Sequence, residues 1–275
     1  MRLKGEVALI QGATRGMGQV TAERFAAEGA KVVFTGRNEA RGKVIEQAIA
    51  AQGGEALFVR TDITEEDDVR RAVDATVSEF GMITALVNNA GGTEHQAGAS
   101  KIDDKVADIS SAAWDRIFAT DLKGAWLSAK YAIPAMERAG KGSIVNISSF
   151  AAELAVVGVA AYSAAKAGLH ALTRSIAIEY AAESIRCNCI LIGLIPNWQT
   201  EFFNEAAWAR SLKACQPLRV GRESDASNAA LFLCSDEASY ITGAVLHVDG
   251  GLSKIAHMPE LPSEGGDVEF APDNL

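Results

Sequence analysis

Short apolar runs alternate with longer amphipathic stretches along the chain. The runs are rich in valine, isoleucine and leucine, and they cover residues 7–11, 31–35, 56–60, 85–89, 143–148, 186–192 and 244–248. Between them the apolar positions recur with helical spacing, for instance over residues 16–28, 38–52, 65–79, 114–139 and 159–182. Continuously apolar strands separated by helices indicate βαβ units. The pattern therefore predicts an α/β fold in which one doubly wound parallel sheet carries helices on both faces.

The same pattern sets the expected domain organisation. No internal repeat or linker divides residues 1–254, so we expect one domain there. After Lys254 the periodicity stops, and residues 255–275 hold five acidic residues but no Lys or Arg. We expect this acidic C-terminal segment to be a flexible or partner-docked tail rather than a second domain.

Composition excludes several classes of partner. A formal net charge of −9 argues against nucleic acid or an anionic membrane surface as the partner. The apolar run near the N-terminus is too short for a signal peptide, and no segment reaches membrane-spanning length. Four cysteines are too few for a disulfide framework, and we expect Cys187 and Cys189 to be buried thiols, not metal ligands. A cytoplasmic location and the absence of a metal site are the resulting expectations.

A glycine-rich turn follows the first predicted strand. Gly12, Gly16 and Gly18 lie between this strand and the first predicted helix. Glycines at such a place let the backbone approach a pyrophosphate, whose charge is stabilised at the helix N-terminus. The turn indicates a dinucleotide site; the alternative is a merely tight turn.

The end of the second predicted strand bears on the choice of dinucleotide. An acidic residue there would bind the adenosine ribose hydroxyls and repel a 2′-phosphate, but the chain has Thr35, Gly36 and Arg37. Arg15 and Arg37 could both reach such a phosphate through paired guanidinium contacts. The sequence favours NADP, with NAD as the alternative, and both arginines could instead be ordinary surface charges.

Tyr162 and Lys166 stand four residues apart among alanines and a glycine. This spacing places both side chains on one face of a helix. Two interpretations compete: a solvated lysine beside a half-buried tyrosine, or a device for proton transfer.

Three further motifs complete the pattern. They are Asn88-Asn89-Ala90-Gly91, predicted to follow the fourth strand, Ser148-Ser149, predicted to follow the fifth, and the stretch SDEASYITGAVLHVDGG at residues 235–251. Together with the glycine turn and the Tyr162-x-x-x-Lys166 pair, they make the chain resemble the short-chain dehydrogenase/reductase family over nearly all of residues 1–254.

The resemblance implies a Rossmann-type domain that binds NAD(P) and interconverts a secondary alcohol and a ketone. By matching position, it implies that Tyr162 is the general acid/base, that Ser149 binds the reacting oxygen, and that Lys166 holds the nicotinamide ribose. It also implies that Lys166 lowers the pKa of the phenol, which at about 10 is otherwise too high for a useful base near neutrality. On this reading the Tyr162–Lys166 pair serves chemistry.

The resemblance also implies a set of cofactor-binding residues. Asp62 and Ile63 would flank the adenine, Asn89 to Gly91 would pass under the cofactor, and Ile195 would meet the nicotinamide carboxamide. The full set is Gly12, Thr14, Arg15, Gly16, Met17, Gly18, Arg37, Asp62, Ile63, Asn89, Ala90, Gly91, Tyr162, Lys166, Ile195 and Asn197.

The family's substrate loop corresponds to residues 193–215. Its aromatic residues, Trp198, Phe202, Phe203 and Trp208, favour an apolar or ring-bearing alcohol or ketone, although they could equally pack onto the core. The resemblance further implies a homotetramer.

The chain departs from the family pattern at four positions. Gln11 replaces a small hydroxyl residue, Ile192 replaces a proline, and Asn197 stands where a threonine commonly meets the cofactor. Asp121 replaces the asparagine of the fourth catalytic position, and its charge would offset part of the effect of Lys166. Residues 95–110 are also longer than usual at this place and could line or cover the substrate site.

These departures leave two other functions open. One is a nucleotide-binding protein whose activity is lost or regulatory, against which the intact Ser149, Tyr162 and Lys166 argue. The other is chemistry similar to that of halohydrin dehalogenases, which use no nucleotide, and the glycine turn disfavours it.

Overall fold

Seven parallel strands form one sheet in the computed structural model of the chain, which describes residues 1–91, 102–195 and 215–254. In chain order the strands are β1 (Val7–Gln11), β2 (Lys31–Gly36), β3 (Glu55–Arg60), β4 (Ala85–Asn88), β5 (Gly142–Ser149), β6 (Ile185–Ile192) and β7 (Val245–Val248). They lie in the order β3-β2-β1-β4-β5-β6-β7, and every neighbouring pair is parallel. This confirms the predicted doubly wound sheet.

Seven α-helices connect the strands across the described residues. They are α1 (Gly16–Ala27), α2 (Glu39–Ala51), α3 (Glu66–Phe80), α4 (Ser111–Phe118), α5 (Gly124–Ala139), α6 (Ala160–Glu179) and α7 (Glu223–Cys234). Short 3-10 turns cover Phe150–Ala152, Asp236–Ala238 and Leu252–Lys254. The helices predicted over 16–28, 38–52, 65–79 and 159–182 are confirmed, with ends that differ by at most three residues.

The prediction of a single helix over residues 114–139 is wrong. The helix begins earlier, at Ser111, because the hydroxyl of Ser110 accepts a hydrogen bond from the amide of Ala113. A π-helical segment, Ala119–Lys123, then separates α4 from α5. Such widened turns add one residue to the helical repeat and often mark functional sites. Here the widened turn contains Asp121, which is buried.

Two apolar layers enclose the sheet. On one face, Phe25 of α1 and Phe34 of β2 pack with helix α7. On the other face, Leu9 of β1 and Met136 of α5 pack with helix α3. All residues of β1, β4 and β5 are buried, which explains why their sequences are apolar without alternation.

The strand ends differ slightly from expectation. Ser148 and Ser149 are the last two residues of β5 rather than a turn after it, and Asn88 closes β4. The substrate-loop residues 196–214 and the tail 255–275 lie outside the described residues, as does 92–101. The proposed domain boundary at residue 254 stays a prediction.

All four cysteines are free thiols. Cys187, Cys189 and Cys234 are buried, as expected for the first two. Burial raises the pKa of the Cys189 and Cys234 thiols to about 12. None of the described helices is both long and apolar enough to cross a bilayer.

Candidate active site

The motif residues meet at the carboxyl ends of β1, β4 and β5. The connections from β1 and from β4 leave in opposite directions along the sheet, because β2 lies on one side of β1 and β5 on the far side of β4. Open α/β sheets bind ligands in the crevice that such a reversal creates. The glycine turn follows β1, Asn89 to Gly91 follow β4, and Ser149 ends β5.

The glycine turn packs directly against the chain that leaves β4. Gly12 has a φ of +74°, and a Cβ there would lie 2.6 Å from the Cα of Ala90. The Nδ2 of Asn89 donates a hydrogen bond of 2.7 Å to the carbonyl of Gly12. A Cβ on Gly18 would lie 2.5 Å from that same Asn89 nitrogen. Gly12 and Gly18 are therefore required for this packing.

The N-terminus of α1 suits an anionic group. Within the described chain its N-cap residue, Arg15, makes no side-chain cap, and its first turn, Gly16-Met17-Gly18, has no acidic residue. Gly16 has a φ of +58°. First-turn amide groups and the helix dipole attract phosphate, so this donor set fits the pyrophosphate of a dinucleotide.

Three arginines gather near the end of β2. Burial lowers the pKa of the Arg15 guanidinium, and the positive charges of Arg41 and Arg37 lower it further. Their mutual repulsion would be relieved by a phosphate group. Arg41 was missed by the sequence reasoning. Asn is a typical N-cap residue, so the sequence could have predicted that a helix begins after Asn38 and that Arg41 lies in its first turn. The structure has this cap: Asn38 accepts a hydrogen bond from the Arg41 amide.

The other predicted cofactor residues lie around this crevice. Thr14 contacts Gly36, where a Cβ would lie 2.6 Å from the threonine methyl group. Asp62 accepts hydrogen bonds from the amide and hydroxyl of Thr64, so its carboxylate shapes the turn after β3. Ile63 packs against Gly124 at the start of α5.

Three predicted cofactor-binding residues remain: Met17, Ile195 and Asn197. Met17 packs partly buried against the core, and its carbonyl accepts the Thr21 hydroxyl at 2.7 Å. Ile195 lies beyond β6 beside Gly221. Asn197 is outside the described residues.

Gln11 takes part in the turn in a different way from a hydroxyl residue. It is fully buried, and its Oε1 accepts a 2.5 Å hydrogen bond from Thr35 Oγ1. That threonine hydroxyl in turn accepts from the Gly12 amide at 3.3 Å. The hydroxyl that the turn uses comes from β2 instead of β1, and Gln11 Nε2 has no hydrogen-bond partner among the described residues.

Helix α6 and strand β5 bring Ser149, Tyr162 and Lys166 together. The hydroxyl of Ser149 hydrogen-bonds the Tyr162 phenol, and it also accepts from the amide of Ala151 at 3.2 Å. Lys166 Nζ lies 5.6 Å from the centre of the Tyr162 ring. It donates to the carbonyl of Ile147 at 3.1 Å. The lysine is only 4% exposed, so it is no solvated surface charge.

The position that the family fills with asparagine forms a buried ion pair. Asp121 Oδ1 lies 3.2 Å from Lys166 Nζ, and both side chains are almost fully excluded from solvent. Gly91, with a φ of +132°, faces this pair: a Cβ there would overlap Asp121 Oδ1 and lie 3.2 Å from Lys166 Nζ. Only glycine fits, because a side chain would both strain the backbone and separate the two charges.

The buried charges act on the phenol in opposite directions. Burial raises the pKa of Tyr162, Lys166 lowers it, Asp121 raises it, and the hydrogen bond from Ser149 lowers it. The result is a pKa above the ordinary tyrosine value. Burial lowers the pKa of the Lys166 ammonium, but Asp121 and Tyr162 raise it above its usual value. The lysine therefore stays charged, while part of its effect on Tyr162 is cancelled by Asp121.

A second polar contact supports α6 from beneath. Ser148 Oγ donates to the carbonyl of Lys166 at 3.1 Å and lies 2.9 Å from His170 Nε2. Burial lowers the pKa of His170, so this imidazole is neutral at pH 7. The contact fixes the helix turn that carries Lys166 to the end of β5.

The chain is similar to known proteins over most of its length. Residues 12–253 match the family described as enoyl-(acyl carrier protein) reductase. The chain is 39% identical over 250 residues to cis-4-hydroxycyclohexanecarboxylate dehydrogenase from Sinomonas cyclohexanicum, covering 90% of this chain and 97% of that protein. It is 37% identical over 259 residues to 7alpha-hydroxysteroid dehydrogenase from Clostridium sardiniense, covering 92% and 95%.

A solved structure shows the same fold. It is that of a short-chain type dehydrogenase/reductase from Mycobacterium ulcerans, with a TM-score of 0.85, 33% identity and coverage of 92% of this chain and 91% of that one. The family match over residues 12–253 spans the glycine turn, the Ser149–Tyr162–Lys166 group and the closing strand. The chain belongs to the short-chain dehydrogenase/reductase family of oxidoreductases.

Proposed function

We propose that the protein is an NAD(P)-dependent oxidoreductase that interconverts a secondary alcohol and a ketone. The observation that carries this proposal is the Ser149–Tyr162–Lys166 group, in which a partly buried phenol hydrogen-bonds a serine hydroxyl beside a buried ammonium. Such a group holds a substrate oxygen and moves its proton, which is what alcohol oxidation requires of the protein.

Each residue has a defined part in this proposal. Ser149 donates a hydrogen bond to the reacting oxygen and thereby orients it. In oxidation, ionised Tyr162 accepts the hydroxyl proton; in reduction, neutral Tyr162 donates a proton to the carbonyl oxygen. Lys166 favours the phenolate by its charge. Bound NAD(P) supplies the hydride acceptor for oxidation and the hydride donor for reduction.

The residues of the crevice fit that cofactor. The uncapped N-terminus of α1 and the backbone of Gly16 to Gly18 would hold the pyrophosphate. Asn89 to Gly91 form the wall beneath, and Lys166 would meet the nicotinamide ribose. We infer that NADP is preferred over NAD, because Arg15, Arg37 and Arg41 concentrate positive charge where a 2′-phosphate would lie.

A ring-bearing substrate is the most specific choice that the relatives support. Two of them are named for the oxidation of hydroxyl groups on saturated rings, a hydroxycyclohexanecarboxylate and a hydroxysteroid. We propose a cyclic secondary alcohol or the corresponding ketone. The aromatic residues predicted for the substrate loop are in keeping with this class.

Steady-state turnover tests the proposal. Cyclohexanol, cis-4-hydroxycyclohexanecarboxylate and a 7α-hydroxysteroid are offered with NADP and with NAD, and NAD(P)H absorbance is followed. We expect turnover of at least one ring alcohol, and Tyr162→Phe should lower kcat by about a thousandfold while the Kd for NADPH stays unchanged. Full activity of Tyr162→Phe would refute the proposed role of the phenol.

A binding function without turnover is the second candidate, and the ion pair of Lys166 with Asp121 is the observation that favours it. A lysine held by a carboxylate is less able to bind the ribose and to favour the phenolate. Fluorescence of bound NADPH distinguishes the two: binding with no turnover over a broad panel of alcohols and ketones would establish this alternative.

We also propose a homo-oligomer, as the family resemblance implies. A hollow of about 550 Å³ between α4, the π-helical segment, α5 and α6 is lined by Phe118, Leu122, Trp126 and Leu172. Trp126 is 43% exposed. Apolar surface of this kind is typical of protein interfaces. Sedimentation equilibrium would report the number of subunits.

A further inference from the structure

Helix α6, which carries Tyr162 and Lys166, begins without a cap from its own sequence. Its N-cap residue is Val159, whose side chain has no atom that could accept a hydrogen bond, and its first turn has no acidic residue. The first amide groups of a helix lack intrahelical partners. Buried amide groups without partners are costly, so another part of the chain has to supply acceptors.

Asp103 supplies them from a segment almost sixty residues earlier. Its Oδ1 accepts a hydrogen bond from the amide of Ala161 at 3.2 Å, and its Oδ2 accepts from the amide of Tyr162 at 2.8 Å. Asp103 is only 2% exposed. A carboxylate at this end of a helix gains from the helix dipole as well as from both charge-assisted hydrogen bonds.

The residue before Asp103 holds the same turn by packing. Ile102 belongs to a small apolar cluster with Ile117, Ala161, Ala165 and the ring of Tyr162. The first turn of α6 is thus held through its amide groups by Asp103, and Ile102 packs against the apolar cluster that includes Ala161 of this turn. Because one of the two donors is the amide of Tyr162 itself, the contact fixes the backbone from which the phenol extends.

We propose that Asp103 is a positioning residue that keeps the Tyr162 phenol in register with Ser149 and Lys166. This rests on the proposed function, in which Tyr162 transfers the proton. Loss of the carboxylate would shift the start of α6, and displacement of a reacting group by about 1 Å can cost about a hundredfold in rate. Asp103 then governs kcat and leaves cofactor binding unchanged.

Amide hydrogen exchange tests the cap directly. In the wild-type protein the amides of Ala161 and Tyr162 should be protected although they lie in a first helical turn. Asp103→Ala should remove this protection, and Asp103→Asn should keep part of it, because the amide side chain retains one acceptor oxygen. Glu46→Ala is the matched control, since it removes a carboxylate that accepts a hydrogen bond from a backbone amide, that of Phe58, at the β3 edge of the sheet and away from α6.

Turnover tests the positioning. With a ring alcohol as substrate, Asp103→Ala should lower kcat by about tenfold to a hundredfold, while the Kd for NADPH changes by less than about twofold. Asp103→Asn should give a smaller loss, and Glu46→Ala should keep the wild-type kcat. In the Tyr162→Phe variant, adding Asp103→Ala should cause little further loss of kcat, because the two residues act as a unit.

The proposal would be overturned if the losses in kcat caused by Asp103→Ala and Tyr162→Phe multiplied in the double variant. It would also be overturned if Asp103→Ala quickened hydrogen exchange of the Ala161 and Tyr162 amides without changing kcat. If the wild-type protein turns over no alcohol or ketone, the proposed function fails. The positioning of Tyr162 is then tested by measuring the pKa of its phenol. Ultraviolet titration of Tyr162, with Tyr162→Phe as the blank, should show a changed phenol pKa in Asp103→Ala; an unchanged pKa would refute the role of Asp103.

Discussion

The carboxylate of Asp121 is the residue whose charge bears most directly on the phenol. Because Asp121 raises the pKa of Tyr162, Asp121→Asn should lower that pKa. Oxidation needs the ionised phenol, so its rate rises with pH through this pKa, and a lower pKa moves the rise to lower pH. A pH–rate profile for oxidation of one alcohol by both forms measures the shift.

The same profile contains the outcome that would contradict this account. Asn fits the position of Asp121 because the two side chains have nearly the same size and local hydrogen bonding. A variant that loses most of its activity at every pH would show that the carboxylate itself takes part in catalysis. Asp74→Asn on the exposed face of α3 removes one charge far from the site, and its profile should match that of the wild-type protein.

The ion pair of Asp121 with Lys166 also bears on stability. Lys166→Met would leave the Asp121 carboxylate buried without its cation, and removing one partner of a buried pair costs about 3–5 kcal/mol. We expect urea unfolding to show a loss of that order. Adding Asp121→Asn to this variant should restore part of the free energy of unfolding, and a double variant less stable than Lys166→Met would contradict the pairing.

Arg37 tests the choice between the two nicotinamide cofactors. Arg37→Asp places a negative charge where the 2′-phosphate of NADPH would lie. We expect the Kd for NADPH to rise about tenfold to a hundredfold, since hydrogen bonds to charged groups contribute about 1.5–3 kcal/mol. The Kd for NADH should change much less. Arg70→Asp makes the same charge change on α3, and an equal effect of both variants on the two cofactors would mean that Arg37 does not contact the phosphate.

Among the elements, the π-helical segment Ala119–Lys123 has the clearest functional consequence. Its extra residue turns Asp121 towards Gly91 and Lys166. Deleting Thr120 should convert it to regular helix and remove the wide turn that contains Asp121, while α4 and α5 keep their relative orientation. We expect kcat to fall by about a hundredfold or more. Circular dichroism and thermal unfolding report whether the deletion variant is folded.

Thr120→Ala is the matched variant for this deletion. The threonine side chain is solvent-accessible and hydrogen-bonds only the carbonyl of Arg116 within the described part of the chain, so its removal should leave kcat nearly unchanged. A folded deletion variant with wild-type activity would show that the widened turn does not place Asp121.

These elements also show what the sequence can and cannot predict. All seven strands were predicted from apolar runs. The runs are clearest for β1, β4 and β5, because these strands are buried on both faces and so are apolar throughout. The π-helical segment was not, because ATDLK resembles ordinary helix and because Gly91 and Lys166, which Asp121 meets, lie far from it in sequence. The hydrogen bonds from the Ala161 and Tyr162 amides to Asp103 could not be predicted for the same reason: the partners are close in space and far apart in sequence.

For the whole molecule, we expect the fold to be complete at Lys254. Asp249 accepts hydrogen bonds from the amides of Gly251 and Ser253, which fixes the last described turn to the end of β7. A chain ending at Lys254 should unfold within about 2 °C of the full-length protein, because the acidic tail lacks the periodicity of a packed element. Differential scanning calorimetry measures this.

Function can respond to the same truncation in another way. If the tail shapes the substrate entrance or a subunit contact, the KM for a ring alcohol or the subunit number from sedimentation should change while the melting temperature does not. An insoluble or unfolded truncated protein would show that residues 255–275 belong to the fold.

The burial of three of the four cysteines has a practical consequence for labelling. Maleimides react with thiolates, and the pKa of about 12 for Cys189 and Cys234 leaves almost no thiolate at neutral pH. Cys187 is fully buried, whereas Cys215 is partly exposed and directly follows residues 196–214. A maleimide dye should therefore attach at Cys215 in native protein, and its fluorescence would report on substrate binding at the end of the predicted substrate loop without any engineered cysteine.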